Sequence, residues 1–312
     1  MTQILAIGRY HGMDARAMQA ELSAHSIDAP DQLGTLSDAA RAAVIGVAYK
    51  GHQAFGPEQM DMLPNLRMIA KYGVGYDAID IPAAKARGIT VTNTPDVLND
   101  DVADLAVGMW IAALREMETG IHCVRSGDWA AGKAPPLARK VTGRRVGILG
   151  LGRIGREIAD RLAAFKCEIH YQSRREKDTP GWTRHADALA LAGAVDDLFI
   201  AVVGGAETEG LVDAPVLAAL GAGGWLVNVA RGSVVDEEAL LEALDARVIA
   251  GAALDVFRNE PKADPRLTRR PDVLPLPHIG TATIETRRDM GVLLRQNLHA
   301  LLKGKPPLTP VP

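Results

Sequence analysis

Cysteine is scarce: Cys123 and Cys167 are the only two in 312 residues. They lie far apart, without a CxxC or Cys/His ligand spacing, which argues against a disulfide framework, a metal centre or a thiol nucleophile. Both read as buried small hydrophobes, and a reducing compartment fits them. Charge of one sign is lacking too. The formal net charge is −3, and lysines and arginines are scattered apart from a pair at Arg174-Arg175. A nucleic-acid or membrane-surface partner, each of which calls for a basic face, is therefore not expected. No apolar run reaches the ~18 residues that span a bilayer, and the first residues lack the charged-then-apolar order of a secretory signal. The expectation is a cytosolic protein. Internal repeats and low-complexity segments are missing as well. What remains, 47% hydrophobic and 23% charged residues, is the composition of a globular chain long enough for two domains.

The first ninety-odd residues alternate short apolar runs with amphipathic ones. Strands are predicted at Ile4-Leu5-Ala6-Ile7, at Ala43 to Val47, at Met68-Ile69-Ala70 and at Ile89 to Thr92, with helices over Met13 to His25 and Pro82 to Arg87. The second helix opens on a proline and stops at Gly88, the ordinary punctuation of helix ends. A long helix follows from Asn99, its cap, to Met117, on the spacing of Val102, Leu105, Ala106, Met109, Ala113 and Leu114. Gly127 to Thr142 reads as loop. A second series then begins at Arg145, with apolar strands at Val146 to Leu149, Glu168 to Tyr171, Leu198 to Val203, Trp225 to Val229 and Ala250 to Val256. A last helix spans Ile284 to Leu302. Strands alternating with helices imply parallel βαβ units. The fold class predicted is α/β, two Rossmann-like or flavodoxin-like domains with parallel sheets and a cleft between them. The first is discontinuous, 1–97 plus 283–312, and the second covers 98–282.

Gly150-Leu151-Gly152-Arg153-Ile154-Gly155 is a GxGxxG between a strand and a helix. Gly150 permits the tight turn, Gly152 the approach of a pyrophosphate, and Gly155 the helix–strand contact. The anion would rest on the N–H groups at the helix N-terminus. An NAD site carries an acidic residue about twenty residues on, to hold the ribose 2′-hydroxyl. Here that strand ends Tyr171-Gln172-Ser173-Arg174-Arg175. Ser173 can donate to a 2′-phosphate and the arginines can neutralise it, so NADP(H) is the preferred cofactor and NAD(H) a tolerated one. The plainer reading of Arg174 and Arg175, as solvated loop charges, stays open.

Further motifs run in one order along the chain: Lys71-Tyr72-Gly73-Val74-Gly75-Tyr76-Asp77, Thr92-Asn93-Thr94-Pro95, the fingerprint, Asn228-Val229-Ala230-Arg231-Gly232, Leu254-Asp255-Val256-Phe257 and Pro277-His278-Ile279-Gly280. Together they resemble the D-isomer-specific 2-hydroxyacid dehydrogenases. The Ser-Arg-Arg ending and Gly204-Gly205 are most similar to glyoxylate/hydroxypyruvate reductases. The resemblance implies that Arg231 binds the substrate carboxylate and polarises its carbonyl, and that His278 is the general acid. It makes Glu260 the carboxylate that pairs with this imidazole and favours its protonated form. These roles suit the chemistry, since reducing a 2-oxo acid needs a proton on the carbonyl oxygen.

The same resemblance implies that the N–H groups of Val74 and Gly75 bind the substrate carboxylate, and that Asp255 meets the nicotinamide carboxamide in a pocket lined by Val229, Ala230 and Gly280. Tyr49, Lys50 and Gly51 stand where the family shapes specificity. No metal is implied. His11, His122 and His299 have no such setting and receive no role. A homodimer built on the cofactor domain is implied, with the helix from Asn99 to Met117 in the contact, although an apolar helix is equally ordinary core. One departure concerns the loop before the fingerprint, where similar reductases carry several aromatics and this chain has only Trp129. A dinucleotide-sensing corepressor-like protein and an NAD-dependent phosphoglycerate dehydrogenase are the competing readings. The first finds no basic or disordered tail here, and the second lacks its acidic residue and regulatory domain.

Overall fold

The computed structural model describes residues 3–10 and 12–312; His11 lies outside the described residues. The chain divides into two compact units, Met1–Leu98 with Ala282–Pro312, and Asn99–Thr281.

Unit 1 holds a parallel sheet of β1 (Ile4–Ile7), β2 (His25–Ile27), β3 (Gly46–Tyr49), β4 (Met68–Lys71) and β5 (Thr90–Thr92), ordered β2-β1-β3-β4-β5. Every residue of β1, β3 and β4 is buried, as a parallel sheet covered on both faces requires. Helix Ile284–Leu302 returns to pack on β3 and β4. It is capped by Thr283, whose hydroxyl accepts from the N–H of Thr286.

Unit 2 holds β6 (Arg145–Leu149), β7 (Glu168–Gln172), β8 (Thr183–His185), β9 (Asp197–Ile200), β10 (Trp225–Asn228), β11 (Gly251–Leu254) and β12 (Val273–Pro275), ordered β12-β11-β10-β9-β6-β7-β8. The order reverses between β6 and β9, the switch at which doubly wound sheets bind dinucleotides. Both sheets are parallel throughout.

Three strands were not predicted: β2, β8 and β12. Each is three residues long and lies at a sheet edge. β2 and β8 bury little and carry no apolar run, while the apolar β12 is broken by Pro275, which is tolerated only at such an edge. The long helix also ends early, at Leu114, because Glu116 adopts a left-handed φ of 51°. A separate helix, Met117–Arg125, follows. Asn99 opens the long helix without capping it, for its buried Oδ1 has no hydrogen-bond partner. Val102, Ala103, Ala106, Val107, Met109, Trp110, Ala113 and Leu114 are buried, so this face of the helix belongs to the core, while Leu105, Ile111 and Ala112 are half-buried and Gly108 is exposed. No helix among the described residues is long and apolar enough to cross a membrane.

Candidate active site

The fingerprint has the backbone that its glycines suggest. Gly150 turns the chain with φ +100°, where a Cβ would stand 2.7 Å from the Val202 nitrogen. A Cβ on Gly155 would meet the Gly150 carbonyl oxygen at 2.1 Å, so the turn and the helix Arg153–Ala164 touch through glycine alone. Around Gly152 nothing lies within 4 Å of that position. The helix N-terminus is thus open where a pyrophosphate would sit, and the residues present fit a dinucleotide. Leu151 is buried in the core, Ile154 is half-buried and Arg153 is exposed, so Leu151 has only its backbone to offer a ligand.

β7 ends in a turn on its own backbone. Ser173 is buried and its hydroxyl donates to the Arg175 carbonyl oxygen. Ser173 thereby closes the turn that carries Arg174 and Arg175. Arg184, on β8, braces the same turn through the Ser173 carbonyl at 3.2 Å; no motif marked it. Arg174 and Arg175 are exposed, and Arg174 stands 3.7 Å from Glu207 with both side chains almost fully in solvent, a pair worth little. Their charge remains available to an anion.

The remaining residues project from the carboxyl ends of β10, β11 and β12. Asn228 ends β10 and ties the turn that follows: its Oδ1 accepts from the Ala230 N–H at 3.0 Å and its Nδ2 donates to the Arg231 carbonyl at 2.9 Å. Arg231, half-buried, leaves this turn. Its stem passes Gly204, after β9, so closely that a Cβ there would lie 2.5 Å from Arg231 Cγ. Ala230 is buried and Val229 half-buried beside it.

Asp255, after β11, is 2% exposed. Its carboxylate accepts from the N–H groups of Ile279 and Gly280, both at 2.8 Å, and its carbonyl accepts from the His278 N–H at 2.8 Å. These bonds build the turn in which His278 adopts φ 54°. Burial pushes the Asp255 carboxyl up, while those peptide N–H groups and His278 oppose the shift. Sequence reasoning gave Asp255 a ligand contact and missed this work; a buried acid beside a strand end was the available signal.

His278 Nδ1 lies 2.6 Å from Glu260 Oε2. The other Glu260 oxygen accepts from the Phe257 N–H at 3.0 Å. The carboxylate is thereby held from both sides, and it fixes the imidazole through Nδ1. The structure brings Glu260 and His278 into contact and sets Arg231 on the same sheet edge. Val74 and Gly75 belong to unit 1, in the loop after β4. Asn93 Nδ2 holds the Val74 carbonyl at 2.8 Å, and Thr94 Oγ1 accepts from the Gly73 N–H at 3.1 Å.

A switch-point fingerprint with an arginine and a carboxylate-backed imidazole on one sheet edge defines a nicotinamide-dependent oxidoreductase of carbonyl or hydroxyl groups. The model of the D-isomer specific 2-hydroxyacid dehydrogenase NAD binding domain matches residues 107–280. The glyoxylate/hydroxypyruvate reductase A of Arabidopsis thaliana is 44% identical over 269 residues, 86% of this chain and 85% of that one. The 2-ketogluconate reductase of Gluconobacter oxydans is 43% identical over 269 residues, 86% of each. The NADPH-dependent glyoxylate/hydroxypyruvate reductase of Sinorhizobium meliloti, solved with NADP and malonate, superimposes with a TM-score of 0.94 at 40% identity, covering 100% of this chain and 97% of that one. The chain belongs to the D-isomer specific 2-hydroxyacid dehydrogenase family and is an NAD(P)-dependent oxidoreductase of 2-oxo and 2-hydroxy acids.

Proposed function

We propose that the protein reduces a small 2-oxo acid, such as glyoxylate, hydroxypyruvate or 2-ketogluconate, to the D-2-hydroxy acid with NADPH. The observation that carries the reading is the 2.6 Å contact of His278 with Glu260 on the sheet edge that also bears Arg231 and the fingerprint. When bound, the nicotinamide supplies the hydride. Arg231 takes the substrate carboxylate through its planar fork and draws electron density from the carbonyl. Glu260 accepts a hydrogen bond from the Nδ1–H of His278, which fixes the ring and aims Nε2 at the carbonyl oxygen. His278 then delivers a proton to that oxygen and takes it back in the reverse direction. The N–H groups of Val74 and Gly75 offer a further contact for the carboxylate. Asp255, Val229, Ala230 and Gly280 form the nicotinamide side of the pocket, and Arg174 with Arg175 selects the 2′-phosphate, NAD(H) being tolerated.

Met117, Ile121, Val124, Trp129 and Leu137 are exposed and fall within one segment. An apolar run of that kind on a surface marks a contact, and it supports a homodimer built on the cofactor domain, with this segment beside the long helix in the contact. Cys123 and Cys167 are unpaired with each other, which supports a cytosolic setting.

The test is NADPH and NADH oxidation measured side by side with the three acids. Oxidation of NADPH with at least one acid, faster than with NADH, is expected. Dinucleotide binding without turnover of any 2-oxo acid would favour the sensing protein, and a preference for NADH would remove the role given to Arg174 and Arg175.

A further inference from the structure

The β8 edge of the unit 2 sheet carries a pair of histidines with no part in hydride transfer. His170 lies in the middle of β7 and His185 at the end of β8. They are 15 residues apart in sequence, so no ligand spacing announces them. Parallel pairing sets His185 opposite Gln172, and side chains two apart on a strand share a face. Glu168, His170 and His185 therefore stand on one side of the sheet. His170 is 7% exposed; His185 is half-buried and Glu168 exposed beside it.

His170 Nδ1 is 2.9 Å from His185 Nε2, with the ring centroids 5.2 Å apart and the planes inclined by 30°. The other nitrogen of His170, Nε2, is 3.1 Å from Glu168 Oε1. An ionised carboxylate only accepts, so Nε2 carries the proton of the neutral His170 ring and Nδ1 turns a lone pair towards His185. His185 meets it with Nε2–H. Moving that proton to its own Nδ1 gives a second lone pair aimed at the same point, with no change in charge. A plain bond between the rings would be served by either tautomer of His170; Glu168 selects the one with its lone pair inward. Two converging imidazole lone pairs, one ring backed by a carboxylate on its far nitrogen, is how proteins hold zinc-like cations. Nitrogens at about 2.1 Å from a tetrahedral cation lie about 3.4 Å apart. The pair has to open by about half an ångström to reach that separation, a small move for a half-buried ring at a strand end. Water on the exposed side completes the coordination.

The geometry points to a site for a zinc-class divalent cation, with His170 Nδ1 and His185 Nε2 as ligands and Glu168 orienting His170 from behind. The cation ties β8 to β7, and β8 carries Arg184, whose guanidinium holds the Ser173 carbonyl at 3.2 Å. Occupancy thereby steadies the turn that bears Arg174 and Arg175. The site is independent of the reductase reading.

The experiment adds Zn2+ to the chelator-treated, dialysed full chain and reads bound metal by competition with a chromogenic zinc indicator, with thermal melts alongside. Wild type should bind one equivalent more than His185→Gln. Zinc at about 100-fold above Kd should raise the wild-type melting temperature by roughly 5–10 °C and leave that of His185→Gln in place. Glu168→Gln should keep the equivalent with affinity weakened by roughly 10- to 100-fold, the usual effect of losing an outer carboxylate. His278→Ala removes a separate imidazole able to take zinc and should keep the equivalent too. Melts without metal identify a variant that has simply unfolded. No zinc on wild type, or a folded His185→Gln with wild-type stoichiometry and affinity, would overturn the site, as would loss of the equivalent in His278→Ala. Unchanged affinity in Glu168→Gln would overturn the lone-pair argument on which the site stands.

Discussion

Replacing Gly204 by alanine places a methyl group against the stem of Arg231. The added Cβ would lie 2.5 Å from Cγ, 3.3 Å from Cβ and 3.6 Å from Cδ of that arginine. Carbon atoms rest at about 3.5–4.0 Å, so the Cγ contact asks for a displacement on the order of 1 Å. The Arg231 end of the contact has little freedom. Asn228 pins its carbonyl at 2.9 Å, and its own Nη1 donates to the Ala230 carbonyl at 2.7 Å. Gly204 has no left-handed φ, so alanine is permitted by the backbone and the effect isolates the contact. A misplacement of ~1 Å in a substrate-holding group costs roughly 10²-fold in rate, and overpacking adds a stability loss of about 1–3 kcal/mol. We expect kcat/KM for glyoxylate to fall by about that factor with NADPH affinity preserved, since the fingerprint is the turn after β6 and not the loop after β9. Steady-state kinetics and a fluorescence titration of NADPH separate the two. A variant that folds and matches wild-type kcat/KM would refute the argument that Gly204 is there to let Arg231 pass.

Glu260→Gln keeps a group that can bond to Nδ1 but removes its charge; kcat should fall by about 10²-fold with NADPH affinity unchanged, and an unaltered kcat would show that the carboxylate is not needed. Arg174→Ala with Arg175→Ala should raise KM for NADPH and leave that for NADH nearly constant, read from paired titrations; parallel changes would mark both as solvated loop charges. Asp197→Ala should lower unfolding stability by about 3–5 kcal/mol. It strips the partner from Arg144 and from the Trp110 indole N–H, which donates to Asp197 at 3.0 Å, in a site where Asp197 is 0% exposed. Denaturant melts check this, and a loss no larger than that of an exposed pair would contradict it.

The central strands were legible because burial on both faces demands apolar runs such as Ile4–Ile7 and Trp225–Asn228. The edge strands were not, since His25-Ser26-Ile27 and Thr183-Arg184-His185 carry no such run. The glycine fingerprint, Arg231, Glu260 and His278 could be picked out because each stands beside a recurrent motif. Asn228 and Gly204 were visible in those motifs too, but not their purpose. That purpose is contact across strands, a carbonyl to be tied and a side-chain stem to be cleared, and linear sequence does not display it. The bond from the Ser173 hydroxyl to the Arg175 carbonyl oxygen was likewise invisible in the sequence.

Steady-state reduction of glyoxylate by wild type, Arg231→Ala and His278→Ala at saturating NADPH tests the central claim most directly. The account predicts that wild type turns over, that Arg231→Ala loses substrate capture through a raised KM, and that His278→Ala loses kcat with KM largely kept. Two folded variants that both retain wild-type kcat and KM would show that the reaction is carried by other residues.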